Sequence, residues 1–145
     1  MSGMAFSPWN ARETDAVITR HAGREGALLP ILHDLQATFG CVPREAVPMV
    51  AMALNLSRAE VYGVVSFYHD YREAPPTRPV VRLCQAEACQ ARGVGALTKT
   101  HPGVDIEAVY CLGLCASGPA AMVGARVHAR LDSAAFDRLL DGVAA

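Results

Sequence analysis

Two stretches decide how this chain is read: Val80-Val-Arg-Leu-Cys84-Gln-Ala-Glu-Ala-Cys89 and Cys111-Leu-Gly-Leu-Cys115-Ala-Ser-Gly-Pro119. The apolar run at 80–84 reads as a strand, and residues 88–100 read as a helix weakened by Gly93 and Gly95. Val104, Ile106, Ala108 and Tyr110 alternate with Asp105 and Glu107, as a half-buried strand requires. Residues 120–123 and 126–130 flank Gly124-Ala125, a two-residue hairpin turn. Asp132 or Ser133 then caps a last helix with Phe136, Leu139 and Leu140 inward, stopped by Gly142.

The resulting order, β-α-β-β-β-α, is that of a thioredoxin-like core. In such a core Cys84 ends the first strand and Cys89 enters the helix. Cys111 ends the second strand, and Cys115 lies in the loop before the hairpin. All four would then share one end of the sheet. Pro119 stands where such folds place a cis-proline, so its peptide bond is expected to be cis.

Upstream, Glu73-Ala-Pro-Pro-Thr-Arg-Pro79 cannot continue a helix and reads as a linker. The expected organisation is an N-terminal helical docking region at 1–72, a proline-rich linker at 73–79 and an α/β cluster domain at 80–145. Four helices are expected in the first part. Ser7-Pro8 supplies an N-cap and an N1 proline for a helix reaching residue 21. Leu28, Ile31, Leu32, Leu35 and Phe39 form a second helical stripe, closed by Gly40. A third helix covers 44–54, with Pro48 in its first turn. Ser57-Arg-Ala-Glu60 is a capping box for a fourth carrying Val61, Val64 and Val65. The aromatic residues 66–71 read as a short extended segment.

The chain has 145 residues, 52% of them hydrophobic and 19% charged, which is the balance of a folded, well-buried protein. Its net charge of −1 and lack of basic runs argue against nucleic-acid binding. Met1-Ser-Gly-Met-Ala-Phe-Ser-Pro-Trp9 does not read as a secretory signal, and no apolar run is long enough for membrane insertion. The expected compartment is the cytoplasm, where clustered cysteines point to metal or redox work.

Four thiolates can hold a [2Fe-2S] cluster, two on each iron, in a one-electron carrier with no substrate chemistry of its own. Gly113 and Gly118 would let the backbone approach such a centre closely. Three other readings compete. A zinc-stabilised interaction module uses shorter C-x2-C knuckles. A dithiol enzyme needs C-x-x-C at a helix start, which the chain lacks. Structural cysteines are the default for single residues, and Cys41 is read that way. His21, His33, His69, His101 and His128 are scattered, and His33 and His69 are read as hydrogen-bonded structural residues. No phosphate-binding loop, nucleotide fingerprint or nucleophile elbow is present, so no catalytic residues are assigned.

Gly26-Ala-Leu-Leu-Pro-Ile-Leu-His33, Ala59-Glu-Val-Tyr-Gly-Val-Val-Ser-Phe-Tyr68, Cys84-Gln-Ala-Glu-Ala-Cys89 and Cys111-Leu-Gly-Leu-Cys115 carry a family resemblance. The chain resembles the small thioredoxin-like [2Fe-2S] subunit of NADH:quinone oxidoreductase, with relatives in NAD-reducing hydrogenases and NAD-dependent formate dehydrogenases. Phe67-Tyr-His-Asp-Tyr71, Ala86-Glu-Ala-Cys-Gln-Ala91 and Ala116-Ser-Gly-Pro-Ala-Ala121 are most similar to the gamma subunit of the soluble molybdenum-containing formate dehydrogenase. The resemblance implies Cys84, Cys89, Cys111 and Cys115 as cluster ligands. It implies a partner subunit with FMN, NAD and further iron-sulfur clusters, and a molybdenum cofactor in the formate-oxidising subunit. Trp9, Phe39, Phe67, Tyr68 and Tyr71 are candidate docking contacts, with Phe39 and Phe67 read first as core.

Overall fold

The computed structural model describes residues 6–145. The reading that no secretory signal is present rests partly on residues 1–5, which lie outside the described residues. The chain divides into two compact units, one ending at Pro76 and the other running from Thr77 to Ala145.

The first unit is helical. Helix α1 spans Ala11–Arg20 and starts later than the Ser7-Pro8 pair suggested. Asn10 is its cap, because the Asn10 Oδ1 accepts the Glu13 N–H at 2.8 Å. Helix α2, Leu28–Phe39, buries Ile31, Leu32, Leu35 and Phe39 on the predicted stripe. Gly40 ends it at φ +75°, and a Cβ there would sit 2.5 Å from the Phe6 ring, so both conformation and space call for glycine. Helix α3 is Ala46–Ala53, two residues shorter at its start than expected, with Pro48 in the first turn, where no intrahelical N–H is needed. Helix α4, Arg58–Phe67, opens on the full capping box: Ser57 Oγ accepts the Glu60 N–H, and the Glu60 carboxylate accepts the Ser57 N–H.

The segment expected to be extended at 66–71 is not a strand. Ser66 and Phe67 complete α4, with the Ser66 hydroxyl donating to Gly63 O and the Tyr68 N–H donating to Val64 O. A turn follows, closed by the Tyr71 N–H on Tyr68 O. Helical hydrogen bonds thus outweigh aromatic β-propensity.

The second unit contains a four-stranded sheet in the order β2-β1-β3-β4, formed by β1 Val80–Cys84, β2 Asp105–Val109, β3 Ala121–Val123 and β4 Arg126–His128. β1 and β2 are parallel, with Val80 opposite Asp105 and Cys84 opposite Val109. β3 runs antiparallel to β1, placing Leu83 opposite Ala121. The β3–β4 hairpin turns through Gly124, at φ +57°, and Ala125. The helix expected over 88–100 is instead a short helix α5, Glu87–Ala91, and a separate 3₁₀ turn, Val94–Leu97. Gly93 at φ +88° breaks it. Helix α6, Ser133–Ala144, is capped by Asp132 and passes through Gly142 instead of stopping there, because the Ala145 N–H still finds Asp141 O. Phe136 and Leu140 of α6 pack with Val81, Leu83, Val94, Leu97 and Val104, and Leu139 is only partly buried. Tyr110, expected inward, lies beyond the end of β2 and is 75% exposed. The Gly118–Pro119 peptide bond is cis, as its position suggested.

Candidate metal centre

Parallel pairing is what brings the cysteines together. β1 and β2 end side by side, and the Gln85 N–H donates to Val109 O at 2.8 Å, extending the ladder to the edge of the site. Cys84 is the last residue of β1, and Cys111 follows β2 by two positions. The Cys84 N–H donates to Ala120 O at 2.9 Å, tying the strand end to the loop after Pro119. Cys89 enters from α5, and Cys115 begins a 3₁₀ turn, Cys115–Ser117.

Residues 111–113 wrap the backbone around the sulfurs. Cys111 sits at φ +85°, in the left-handed region that a non-glycine residue seldom adopts, and Gly113 at φ +74°. N–H groups near a thiolate offset its negative charge. The Gly113 N–H reaches Cys111 Sγ at 3.4 Å. The N–H groups of Ala86, Cys111 and Leu112 lie near enough to the Cys84 sulfur to favour its thiolate.

The thiols group by twos. Cys111 Sγ lies 3.7 Å from Cys115 Sγ, and the Cys84 and Cys89 thiols are close enough to influence each other's ionisation. The pairs also meet, since Cys84 is close enough to act electrostatically on Cys115, and Cys115 on Cys89. Among the described residues no three His, Cys, Asp or Glu side chains surround one single-ion site. Cys84 and Cys89 are buried, whereas Cys111 and Cys115 are exposed.

The electrostatics follow from this placement. Burial pushes the Cys84 thiol up, but the N–H donors of Ala86, Cys111 and Leu112, with the Cys89 thiol, outweigh it and hold Cys84 below the ordinary thiol value. Burial, then the hydrogen bond to Cys84, pushes Cys89 up. Cys115 is raised by its hydrogen bond to Cys111 and by the Cys111 charge. Four thiolates crowded together repel one another, and a bound cation would relieve that repulsion. Two pairs of sulfurs, ringed by backbone N–H groups, suit two bridged irons. A tetrahedral zinc ion would draw all four around one point.

Gly118 is buried, and a Cβ there would lie 3.0 Å from Cys89 Sγ, so glycine keeps this wall of the site open. The backbone donors of Ala86, Leu112 and Ala120 leave no side-chain signature and were missed by sequence reasoning. Gly113, between two cysteines, was the legible sign of that loop.

The remaining candidates lie elsewhere. Cys41 is a buried free thiol in the helical unit, its pKa raised by burial and then by Glu45. His33 packs against Tyr71, with ring centroids 5.4 Å apart, and both His33 and His69 are exposed. Of the aromatic docking candidates, Phe39 and Tyr71 are core, while Trp9 and Tyr68 are exposed. Phe67 corrects the expectation of burial: it is 73% exposed at the last position of α4, edge-on to Tyr68.

The chain belongs to the thioredoxin-like [2Fe-2S] ferredoxin family, whose model matches residues 14–144, and its cofactor is a [2Fe-2S] cluster. It is similar to the NADP-reducing hydrogenase subunit HndA of Solidesulfovibrio fructosivorans, 29% identical over 89% of this chain and 84% of that protein. It is also similar to a subunit of the NADH-quinone oxidoreductase of Aquifex aeolicus, 31% identical over 67% of this chain and 69% of that protein. The corresponding NADH-quinone oxidoreductase protein of Escherichia coli is 30% identical over 79% and 78% respectively. Among solved structures, an NAD+-reducing [NiFe]-hydrogenase in the H2-reduced state matches 81% of this chain, with a TM-score of 0.66 and 26% identity. This chain spans only 22% of that hydrogenase chain. Among the described residues no helix is long and apolar enough to cross a membrane.

Proposed function

We propose that this chain is a one-electron carrier subunit of an NAD-linked multisubunit oxidoreductase, with Cys84, Cys89, Cys111 and Cys115 as the ligands of its cluster. The observation that carries the reading is the meeting of two thiol pairs at the end of parallel strands β1 and β2. When bound, a [2Fe-2S] cluster supplies reversible one-electron transfer. The chain's own residues do the rest. Cys84 and Cys89 anchor the buried side, and the backbone N–H groups of residues 86, 111 and 112 offset negative charge on sulfur. Cys111 and Cys115 present the solvent-facing side, where a partner can approach. The partner is a flavin- and NAD-binding subunit, and the cluster lies near its flavin. Free thiols at all five cysteines suit a reducing cytoplasm.

The parent complex we assign is a molybdenum-containing formate dehydrogenase, in which formate and NAD+ give CO2 and NADH on other subunits. The residue phrases at 67–71, 86–91 and 116–121 support this choice. A second reading, the equivalent subunit of an NAD(P)-reducing hydrogenase or of NADH:quinone oxidoreductase, is favoured by the relatives themselves, which come from complexes of those two kinds. Affinity purification of the tagged chain from its own cells separates them. Formate-dependent NAD+ reduction by the captured complex supports the first reading. Hydrogen-dependent reduction, or NADH oxidation coupled to quinone, would replace it with the second.

A further inference from the structure

Reduction of a thiolate-bound cluster by one electron adds negative charge to a centre that is already negative. Any fixed cation beside it therefore favours the reduced state. One arginine occupies that place. The Arg92 N–H donates to Cys89 O at 3.2 Å, so the two residues stand one turn apart at the end of α5, on the same side. The point 3.0 Å from Cys89 Sγ where a Gly118 Cβ would lie is also 3.3 Å from Arg92 Cδ. Arg92 and the Cys89 sulfur are thus neighbours across a buried glycine. Among the described residues Arg92 enters no ion pair, whereas Lys99 pairs with Asp137 and Arg78 with Asp105 in the same unit. Glu87, exposed on α5, stands two positions before Cys89, and the Arg130 N–H donates to Ser117 O at 2.7 Å, next to the Cys115 turn.

We propose that Arg92 is the counter-charge of the cluster, a positioning residue that sets its reduction potential and is no ligand to it. The inference rests on the ligand assignment above. Its aliphatic stem lies along Gly118, and its guanidinium stays exposed, so the effect is moderate and weakens with salt.

The test is a potentiometric EPR titration of the purified full chain, with dithionite as reductant, for the natural protein and for R92Q, R92K and R130Q. R92Q is expected to lower the reduced-to-oxidised ratio at fixed potential by about threefold to tenfold, tenfold being about 59 mV for one electron. R92K should return most of the shift, and added salt should shrink the difference. R130Q should move the midpoint less than R92Q. An unchanged midpoint in R92Q, with iron content and EPR line shape intact, overturns the proposal. If the natural protein holds no [2Fe-2S] cluster, the ligand assignment itself has failed, and the two failures are told apart by iron content alone.

Discussion

The four proposed ligands differ in their surroundings, and each difference has a measurable consequence. Cys111 carries both a thiol and an uncommon backbone conformation, at φ +85°, that aims its own N–H at Cys84. Cys111→Ser is expected to abolish or visibly shift the cluster spectrum, while Cys41→Ser, in the helical unit, leaves it unchanged; visible absorption and EPR of the two variants check this. Gly118 is constrained by space and not by conformation, since its φ is −68°. A methyl group there meets Cys89 Sγ at 3.0 Å. Gly118→Ala should therefore reduce iron bound per chain, by metal analysis, with helix content by circular dichroism retained. The cysteine spacing made these four residues legible in the sequence. Their convergence was legible only through the inferred parallel order of two strands. The N–H donors to sulfur were not legible at all, because a backbone amide is the same for every residue type except proline.

At the scale of elements, local chemistry explains both agreement and error. The capping box of α4 was readable because both its partners are side chains at fixed spacing. Ser57→Ala should cost about 1 kcal/mol by denaturant unfolding. The Ser57 N–H, followed by the Ser57 hydroxyl, holds the Glu60 carboxyl below its ordinary value. A depressed folded pKa means that the stabilisation is present above the ordinary glutamate range and is lost as pH falls through the lowered value. The stability gap between the natural chain and Glu60→Ala should accordingly be widest near neutral pH and close on acidification, in unfolding curves taken across that range. The errors arose where neighbours overrode a residue's usual habit. Gly93 split one expected helix in two, whereas Gly142 left α6 unbroken, because only Gly93 takes a positive φ. Phe67, a docking candidate read first as core, lies at the end of α4 and is exposed to solvent.

The described residues form two hydrophobic cores, one in each unit. Leu35 is fully buried in the helical core, and Phe136 in the core beneath the sheet. Leu35→Ala should cost about 2–5 kcal/mol of stability and Phe136→Ala about 3–5 kcal/mol, measured by thermal unfolding. All four site cysteines belong to the second core's unit. In folded Leu35→Ala protein the EPR line shape should therefore match that of the natural chain, whereas Phe136→Ala, whose ring supports the sheet, should broaden or shift it. In the sequence, the proline-rich segment and the change in hydrophobic period mark the expected linker at 73–79.

The most direct measurement is anaerobic purification of the full chain, followed by iron, sulfide and zinc analysis and EPR before and after dithionite. The expected result is a reddish-brown protein with about two irons and two labile sulfides per chain, silent as isolated and giving a signal once reduced. A colourless protein holding one zinc, or a metal-free chain that turns over dithiols, would contradict it.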